Sequence, residues 1–593
     1  MTSLRNRTWI IPEVTEGHID TLVSQGASAL SAPILAARGF NPENLSDFLE
    51  PKLRNLMPNP SFFKDMDTAA DLMVEAIQDK RNIAIWSDYD VDGATSAAVL
   101  GRYLKMCGIE PTIRIPDRIT EGYGPNAEGL LDLQKEGAEL VCILDAGTVA
   151  FEPLQAAHDA NLDVIVVDHH ASEPTLPPAK AVVNPNRQDQ PEGYGHVCAA
   201  GMTFMFVVAI NLRLRKKNYF KGHSPDLMSF LDLVALGTVC DVVPLTTINR
   251  AFVMRGLPVL SDRMAPGIAA LAQVAKCPDA IGVRECGFAL GPRINAGGRI
   301  GDSSLGARLL LETDPEKAME MAQELSSLNH DRQKMEQDCT KQAMEAVTHF
   351  IPGDTRELAV AVVEAHEGVV GISASRLKDA VDAPSFVLAP AEDDCLKGSG
   401  RSVPGFDLGA GLIAARQEGL LVKGGGHAMA GGLTIKKEKL PAFVDFMNER
   451  IKNSEYYTQG VQSRVDVHVP IQRATLGLID AVNHLAPFGM GNPSPRYVVG
   501  PVLLSKVSIL KETHVKLTLQ DPELQEAGPI LEGLMWNEAN TPLGQKIQNL
   551  QGNLVYVLGG LEINTWNGRS KVQMKPEDIT VGKLPEKRSP HEM

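Results

Sequence analysis

The sequence predicts an α/β protein of several domains: a parallel-sheet domain, a long connecting helix, a smaller α/β domain and a C-terminal β-barrel. Three observations lead to this fold class. The chain has 593 residues, well beyond the size at which one hydrophobic core keeps growing. Short apolar runs alternate with amphipathic stretches from about 80 to 245, and strand signals dominate after about 461.

The parallel-sheet domain is predicted over residues 61–312. Apolar, β-branched runs typical of buried strands alternate there with helical stretches, which indicates βαβ units. The predicted strands are IAIW from 83, TIRIP from 112, LVCIL from 140, DVIVV from 163 and AVVN from 181, and the helices between them include SAAVLGRYLKMCG and FEPLQAAHDAN.

Changes in pattern define three further parts of the chain. Residues 1–60 mix short helical signals with proline, and we expect a leader that packs on the core. Residues 313–350 have apolar positions at helical spacing and few breakers, which predicts a helix connecting two lobes. Residues 351–457 return to β/α alternation and contain a glycine-rich segment, so a smaller α/β domain is expected there.

Short strand-like runs separated by turns predict a small β-barrel over residues 458–593, followed by a tail. This β-rich part resembles an OB-fold, which would bind nucleic acid. Such barrels bind single strands with a positive groove and with aromatic side chains on which bases stack. Trp566, in the run WNGRSKVQMK, is the predicted stacking residue, and Trp536 fits either a core position or a second stacking position. The predicted strands are SRVDVHVPI, RYVVGPVLL, SKVSILK, HVKLTL and NLVYVLGGLEI.

Composition and charge restrict the class of protein. The eight cysteines include no C-x-x-C pair, which predicts reduced thiols in the cytoplasm and neither a disulfide framework nor a zinc ribbon. The N-terminus lacks the apolar core of a signal peptide, and the longest apolar run, AAGMTFMFVVAINL, is too short to span a bilayer. A net charge of −16 argues against nonspecific nucleic-acid binding over the whole surface but permits a local basic channel.

The stretch SDYDVDG places Asp88, Asp90 and Asp92 on alternate residues directly after an apolar run. Three carboxylates this close repel one another, so they suggest a bound cation. The spelling also opens an EF-hand calcium loop, but that loop needs a glutamate at its twelfth position, where this chain has Val99, and a helix before it rather than IAIW. The calcium-loop interpretation therefore fails.

Four apolar segments, all interpreted as strand-like, end in side chains that bind metals. IAIW precedes the three aspartates, LVCIL ends at Asp145, DVIVV at Asp168, His169 and His170, and LDLVALGTVC at Asp241. Parallel strands end along one edge of a sheet, where ligands bind in open α/β folds. Carboxylates with imidazoles suit Mn²⁺ or Mg²⁺ rather than structural zinc, and their number suggests two ions for phosphoryl displacement. Either Asp145 or Asp241 could bridge them.

The motifs carry a resemblance to a known family. SDYDVDGATS, LDAGT, VVDHHAS and GTVCDVVPL resemble, in order, the four motifs of the DHH phosphoesterase superfamily. Within it, the chain is similar to the RecJ family of single-strand-specific 5′→3′ exonucleases over nearly its whole length, so 61–312 would be the DHH catalytic domain and 351–457 the DHHA1 domain. The matching stretches are IPDRITEGYG from 115, LGPRINAGGRI from 290, HEGVVGISASRL from 366, GSGRS from 398, KGGGHAMAGG from 423 and LAPFGMGNPSP from 485.

The resemblance implies roles for the acidic residues. Asp88 and His170 would lie in or beside the coordination sphere, and His170 could contact the scissile phosphate. Gly297 stands where the family motif has alanine, a change of one small residue for another that we expect to be harmless. The metal ligands implied by the resemblance are Asp90, Asp92, Asp145, His169 and Asp241.

The second half of the chain supplies predicted contacts to the substrate. Glycines in KGGGHAMAGG would let backbone N–H groups approach a phosphate, and GSGRSVPG is interpreted as a flexible loop with one cation and two hydroxyls, suited to a terminal phosphate. A surface ion pair is the alternative for each arginine. The predicted substrate-binding residues are Arg118, Tyr123, Arg293, Ser399, Arg401, His427 and Trp566.

The leading hypothesis is a metal-dependent exonuclease that degrades single-stranded DNA 5′→3′ to 5′-mononucleotides by a two-metal mechanism, in DNA repair and recombination. Single-strand selectivity would come from a channel between the lobes that is too narrow for a duplex. The resemblance implies a single-strand-binding protein and a helicase as partners, and we expect a monomer without membrane association. The alternatives are a phosphodiesterase for short oligonucleotides or cyclic dinucleotides, a non-catalytic nucleic-acid scaffold and an inorganic pyrophosphatase.

Overall fold

The computed structural model describes residues 3–118, 121–347, 357–459, 461–524, 528–566 and 568–581. The chain forms two compact units. The first unit comprises Met1–Leu49, Lys334–Ala486 and Ser494–Met593, and the second comprises Glu50–Gln333 with Pro487–Pro493.

The N-terminal segment belongs to the first unit. An ion pair between Arg38 and Asp466, with Nε and Oδ1 2.8 Å apart, joins it to the C-terminal part of that unit. Its elements are β1 (Thr8–Ile10), α1 (Glu16–Ser24), α2 (Ala32–Ala37) and α3 (Pro42–Leu49).

The second unit is built on a parallel sheet with the strand order β3-β2-β4-β5-β6. Its central strands are completely buried, which explains their unbroken apolar sequences. The predicted parallel sheet is confirmed. The elements up to its last strand are α4 (Leu53–Leu56), α5 (Met66–Gln78), β2 (Ile83–Ser87), α6 (Val91–Met106), β3 (Thr112–Arg114), α7 (Ala127–Lys135), β4 (Leu140–Leu144), α8 (Phe151–Asp159), β5 (Asp163–Val167) and β6 (Ala181–Val183).

Helices complete the second unit. The run LDLVALGTVC forms a helix rather than the expected strand, and its residues from Leu231 to Val239 are buried. An almost wholly apolar run fits a buried strand or a buried helix, and its ten residues are longer than a typical strand. A π-helical turn, Cys286–Leu290, precedes α14. The helices are α9 (Ala199–Lys216), α10 (Leu231–Cys240), α11 (Thr247–Ser261), α12 (Pro266–Val274), α13 (Val283–Glu285), α14 (Gly291–Ile300), α15 (Leu305–Leu311) and α16 (Pro315–Ala346).

The predicted connecting helix corresponds to α16, whose first part lies in the second unit and whose last part lies in the first. Residues 348–350 of the prediction lie outside the described residues. The domain boundaries drawn from the sequence stay predictions.

A second sheet lies in the first unit, with the order β10-β11-β9-β8-β7. Ser399 and Arg401 lie on β9, so the expected flexible loop is wrong: GSGR pairs on both sides, with β8 and with β11. The elements are β7 (Ala359–Val362), α17 (Glu367–Val381), β8 (Ser385–Ala391), β9 (Cys395–Arg401), α18 (Leu408–Gln417), β10 (Lys423–His427), β11 (Ala430–Lys436), α19 (Leu440–Lys452) and α20 (Glu455–Gln459).

The C-terminal strands close a barrel in the first unit. Five strands follow the order β14-β15-β16-β18-β17, and β17 pairs back with β14, which is the closed arrangement of an OB-fold. RYVVGPVLL and SKVSILK, expected as two strands, form one strand with a bulge after Leu504. The elements are β12 (Gln462–Arg464), β13 (Val467–Val469), α21 (Leu476–Asn483), β14 (Tyr497–Leu510), β15 (His514–Gln520), β16 (Ile530–Met535), α22 (Pro542–Gln548), β17 (Leu554–Trp566) and β18 (Arg569–Val581).

The predicted fold class is therefore confirmed, from the parallel sheet to the C-terminal barrel. Within the described part of the chain, none of the helices has the length and apolar character needed to cross a membrane. All eight cysteines are free thiols.

Candidate metal centre

The acidic residues meet at one edge of the parallel sheet, where the strand order reverses. From β2 the chain adds β3 on one side and then β4 on the other, so β2 and β4 flank a topological switch point, where open α/β sheets bind ligands. Asp88 follows β2 directly and Asp145 follows β4. The topology explains why segments distant in sequence converge here.

The turn from β2 into α6 fixes the first aspartates. Asp90 caps α6: its Oδ1 accepts hydrogen bonds from the N–H groups of Asp92 (2.9 Å) and Gly93 (3.1 Å). A Cβ at Gly93 would lie 2.3 Å from the Asp88 carbonyl oxygen, so only glycine permits this close turn. The carboxylate of Asp92 accepts hydrogen bonds from the N–H groups of Ala199 (2.6 Å) and Ala200 (2.9 Å) at the start of α9.

His169 faces three carboxylates. Its Nε2 lies 3.3 Å from Asp145 Oδ1, 3.7 Å from Asp92 Oδ2 and 3.8 Å from Asp241 Oδ2. Asp145 has a φ of 59°, a left-handed conformation that aspartate tolerates better than most residues. Asp241 is the C-cap residue that follows α10 directly, so it reaches the cluster from the end of a helix rather than from a strand.

The ligand atoms form overlapping groups. In each group the nitrogen and oxygen atoms all lie within 4.8 Å of one another, as donors around one cation do. Asp145 belongs to two groups, one with Asp88 and Asp90 and one with both histidines. The groups are Asp88, Asp90 and Asp145; Asp92, His169 and Asp241; and Asp145, His169 and His170.

Burial and mutual repulsion raise the pKa values of several carboxylates in this cluster. Burial, together with the charge of Asp90, raises the pKa of Asp88 to about 7. Burial and the charges of Asp92 and Asp90 raise the pKa of Asp241 to about 9, and the same causes raise the pKa of Asp145 well above its usual value. A cation beside these groups would favour their charged forms.

Buried carboxylate oxygens without hydrogen-bond partners in the described part of the chain indicate which kind of ligand the cluster could bind. Among the described residues, Asp88 Oδ1, Asp145 Oδ1 and Asp241 Oδ2 are buried and accept no hydrogen bond. Buried polar atoms without a partner are rare and call for an explanation such as an ion. Carboxylate oxygens with an imidazole suit a hard divalent cation of the Mg²⁺ or Mn²⁺ type. The residues present therefore fit such an ion.

Asp168 orients the two histidines and does not face the cluster. Its Oδ1 accepts hydrogen bonds from the N–H of His169 and from Nδ1 of His170, both at 2.7 Å, and its Oδ2 accepts one from Thr148 N–H at 3.0 Å. Burial alone would raise the pKa of Asp168, but its bonds to His170 and Thr148 hold that pKa below its usual range. Burial alone would lower the pKa of His170, yet its bond to Asp168 raises it to about 9.

The predicted substrate residues of the second unit differ in placement. Tyr123 lies beside the cluster, with its hydroxyl 3.1 Å from His170 Nε2. The Arg118 guanidinium is exposed and stacks over the Tyr89 ring, 4.8 Å from its centroid. Arg293 instead donates to the Ala289 carbonyl (2.7 Å) and to Ser326 Oγ (3.3 Å).

Arg299 was not singled out by sequence reasoning, although it lies in the motif quoted from 290. Burial lowers its pKa, as do the charges of Arg118 and Arg332, while Tyr89 and Asp90 raise it. These interactions place a second guanidinium beside the acidic cluster. A Cβ at Gly298 would lie 2.7 Å from Tyr89 Cδ2, so α14 packs directly on the turn after β2.

The remaining predicted substrate residues lie in the first unit. Ser399 and Arg401 share one face of β9, and Arg401 Nη1 donates to Ser399 Oγ at 2.9 Å. Their polar atoms lie over Gly371, where a Cβ would come within 3.2 Å of Arg401 Nη2 and 3.3 Å of Ser399 Oγ. His427 ends β10 and is exposed. Trp566 ends β17 with 76% of its surface exposed.

Family models match the three parts of the chain. Residues 82–238 match the DHH family, N-terminal domain. Residues 356–453 match the DHHA1 domain. Residues 465–578 match the RecJ OB domain.

Known proteins resemble the chain over most of its length. The single-stranded-DNA-specific exonuclease RecJ of Bacillus subtilis (strain 168) is 33% identical over 581 residues, 97% of this chain and 71% of that protein. The RecJ of Dickeya dadantii (strain 3937) is 34% identical over 546 residues, 90% of this chain and 93% of that protein.

RecJ from Thermus thermophilus has been solved in complex with Mn²⁺, with 26% identity, a TM-score of 0.77 and coverage of 97% of this chain and 80% of that chain. It has also been solved with Mg²⁺, with 25% identity, a TM-score of 0.71 and coverage of 97% and 79%. Relatives more than 30% identical over nearly the whole chain establish the family. The chain belongs to the RecJ family of single-stranded-DNA-specific exonucleases.

Proposed function

We propose that the protein is a metal-dependent exonuclease that degrades single-stranded DNA in the 5′→3′ direction to 5′-mononucleotides, in DNA repair and recombination. The observation that supports this function most directly is the set of unpaired, buried carboxylate oxygens around His169. The relatives named as single-stranded-DNA-specific exonucleases support the substrate.

Two divalent cations, Mn²⁺ or Mg²⁺, are the proposed cofactors. When bound, they would lower the pKa of a water molecule and stabilise charge on the attacking and leaving oxygens of a phosphodiester. Asp145 belongs to the group with Asp88 and Asp90 and also to a group with His169. The Nε2 of His169 lies 3.3 Å from Asp145 Oδ1, so we propose Asp145, rather than Asp241, as the shared ligand. One ion would be held by Asp88, Asp90 and Asp145, and the other by Asp92, Asp145, His169 and Asp241.

The proposed role of His170 follows from its orientation. Asp168 accepts a hydrogen bond from Nδ1, so the ring is held with Nε2 on the side away from Asp168. The Tyr123 hydroxyl lies beside the ring, 3.2 Å from Nδ1 and 3.1 Å from Nε2. A proton on Nε2 would be donated to a non-bridging oxygen of the scissile phosphate. Such a bond stabilises charge that develops on the phosphate during displacement.

Two cations of the second unit are proposed to contact the DNA backbone. Arg118 and Arg299 lie beside the acidic turn, where they would attract phosphates to a site that is otherwise negative. Ser399 and Arg401 in the first unit are proposed to bind the terminal 5′ phosphate, with His427 nearby on the neighbouring hairpin. Arg293 remains a proposed substrate contact, as does Tyr123.

The barrel is proposed to hold the uncut strand on the 3′ side of the cut. Trp566 exposes a large aromatic surface at the tip of a hairpin that also presents Arg569 opposite it. An exposed aromatic ring with a neighbouring cation is a common arrangement for stacking bases without sequence preference.

We propose that the chain acts as a monomer in the cytoplasm, with a single-strand-binding protein and a helicase supplying its substrate. The free thiols support a reducing compartment. Analytical ultracentrifugation tests the monomer, and binding measurements with each purified partner test the association. A dimer at micromolar concentration, or no measurable binding, would contradict the respective proposal.

The proposed function is tested by digesting single strands and duplexes labelled at either end, with Mn²⁺ and with chelator. We expect a 5′ label to be released at once as a mononucleotide, a 3′ label to remain on shortening fragments, and duplexes to persist. The control is the Asp163→Asn variant, because Asp163 begins β5 at the opposite edge of the sheet and pairs with Arg81 and Lys180. Release from the 3′ end first, or digestion in chelator, would contradict the proposal.

A further inference from the structure

An apolar pocket of about 340 Å³ lies beside the acidic cluster within the second unit. Pockets for small ligands range from about 300 to 1,000 Å³, so this one has room for a single small group. Its walls come from three segments: the end of α10 with the loop that follows it, the stretch from α13 through the π-helical turn into α14, and the short segment Pro487–Pro493. Cys240 and Val242, which flank Asp241, both line it.

Several large apolar side chains at the pocket are exposed to solvent and are not packed into the core. Phe288 is 80% exposed, and Val242 and Met490 are also largely exposed. Phe288 lies in the π-helical turn, a distortion often found at functional sites. Val242 has a φ of 58°, which is strained for a β-branched residue. Exposed apolar groups around a concave surface are typical of a binding site.

The pocket walls are held in place by close packing. Leu245 N–H donates a 2.7 Å hydrogen bond to the Met490 carbonyl, and a Cβ at Gly489 would lie 2.8 Å from Leu245 Cδ1. On the other side, a Cβ at Gly291 would lie 2.6 Å from Cys240 Sγ. The pocket is therefore formed before any ligand binds, which lowers the ordering cost of binding.

Asn295 also lines this pocket. Within the described ranges, Asn295 Oδ1 is buried and accepts no hydrogen bond. A ligand with a flat apolar body and one N–H donor would satisfy this atom while covering Phe288. Nucleobases have this chemistry, since they stack on aromatic rings and adenine, guanine and cytosine carry exocyclic amino groups.

We propose that this pocket binds a base of the DNA strand, that of a nucleotide adjoining the scissile phosphate. The base stacks on Phe288, contacts Met490 and Val242, and donates a hydrogen bond to Asn295 Oδ1. This inference rests on the proposed function, because the acidic cluster that would bind the phosphate begins one residue away, at Asp241.

The test compares Phe288→Ala with wild type on oligonucleotides that carry one abasic nucleotide at successive positions from the 5′ end. We expect wild-type kcat/KM to fall about tenfold, equivalent to ~1.4 kcal/mol, at one abasic position. Phe288→Ala is expected to lose about tenfold on the intact strand and nothing more on that abasic strand. Asn295→Leu, which removes the acceptor at similar volume, is expected to show a smaller loss with the same dependence on the base.

Met264→Ala is the matched control, because Met264 is 85% exposed in the same unit and does not line the pocket. Equal losses of Phe288→Ala on intact and abasic strands would overturn the proposal, since the effect would not depend on a base. Wild-type rates for Phe288→Ala would also overturn it and leave the pocket to another occupant, such as an apolar peptide side chain. Failure of the wild type to digest intact single strands would instead contradict the proposed function.

Discussion

The acidic edge of the parallel sheet and the outer surface of the barrel differ in how their polar and apolar groups are satisfied. Asp145 is 2% exposed and its Oδ1 has no hydrogen-bond partner among the described residues. Trp566 in the barrel is exposed and Lys516 pairs with Glu532 at 2.7 Å. The edge of the sheet has buried carboxylate oxygens that accept no hydrogen bond from the described part of the chain, and a cation could bind to them. The barrel surface has an exposed aromatic ring and a surface ion pair. Chemistry is therefore expected to depend on single residues of the sheet, and binding on many residues of the barrel.

The largest effect on catalysis is expected from a substitution at the acidic edge of the sheet. Asp145→Ala should lower kcat by about 10³-fold or more, because it removes the carboxylate that belongs to both proposed metal groups. Single-turnover digestion of a 5′-labelled strand measures this loss, and filter binding with the same strand should change little. Cleavage near the wild-type rate would contradict the proposed dependence of catalysis on single residues of the sheet. Asp163→Asn, at the opposite edge of the sheet, is the control.

A smaller effect is expected for Asp168, a neighbouring aspartate whose two carboxylate oxygens both accept hydrogen bonds. Asp168→Asn should lower activity by about 10–100-fold, the usual range for residues that orient metal ligands, because an uncharged amide with one accepting oxygen cannot accept hydrogen bonds both from the two histidines and from Thr148 N–H. The concentration of Mn²⁺ needed for half-maximal activity should rise in the same variant. A purely structural role would lower stability without moving that concentration.

These two aspartates show what the sequence can predict. Each follows an apolar run, so the position of the cluster at the sheet edge was predictable from strand ends alone. Which aspartate faces the acidic cluster depends on backbone conformation and on hydrogen-bond partners such as Thr148. The fold was also largely predictable, except where a run was apolar all round, as in α10, or rich in glycine, as in β9.

Other features of the site could not be predicted from the sequence, because they depend on how distant residues are placed in the fold. Arg293 and Arg299 are six residues apart on α14, so they point in different directions around the helix, and the motif alone does not say which one meets the acidic turn. The segment Pro487–Pro493 joins the second unit although it lies far along the chain. Ser399 and Arg401 lie on a strand because β8 and β11 pair with it, and such pairing is set by distant residues.

Binding by the barrel should respond more weakly. Trp566→Ala is expected to weaken single-strand binding by about 1–3 kcal/mol, the range for loss of one stacked base, and to leave kcat at saturating DNA unchanged. Fluorescence anisotropy and steady-state kinetics separate these two quantities. Trp566→Phe should retain most of the affinity, and a fall in kcat without a change in affinity would contradict the proposed role.

The smallest effect is expected at an exposed ion pair of the barrel. Lys516→Ala removes a surface partner of Glu532, and such pairs contribute about 0–1 kcal/mol. The free energy of unfolding, measured with urea, should therefore change by less than about 1 kcal/mol. A loss of DNA affinity as large as that of Trp566→Ala would instead identify Lys516 as part of the binding groove.

The central claim is that the acidic edge of the sheet is a two-metal site with Asp145 as the shared ligand. Equilibrium binding of Mn²⁺, followed by electron paramagnetic resonance of the free ion, measures this directly and does not depend on activity. We expect two Mn²⁺ ions per wild-type and per Asp163→Asn chain, and loss of tight binding in Asp145→Ala. No tight binding by the wild-type chain, or two ions still bound in Asp145→Ala, would contradict the account.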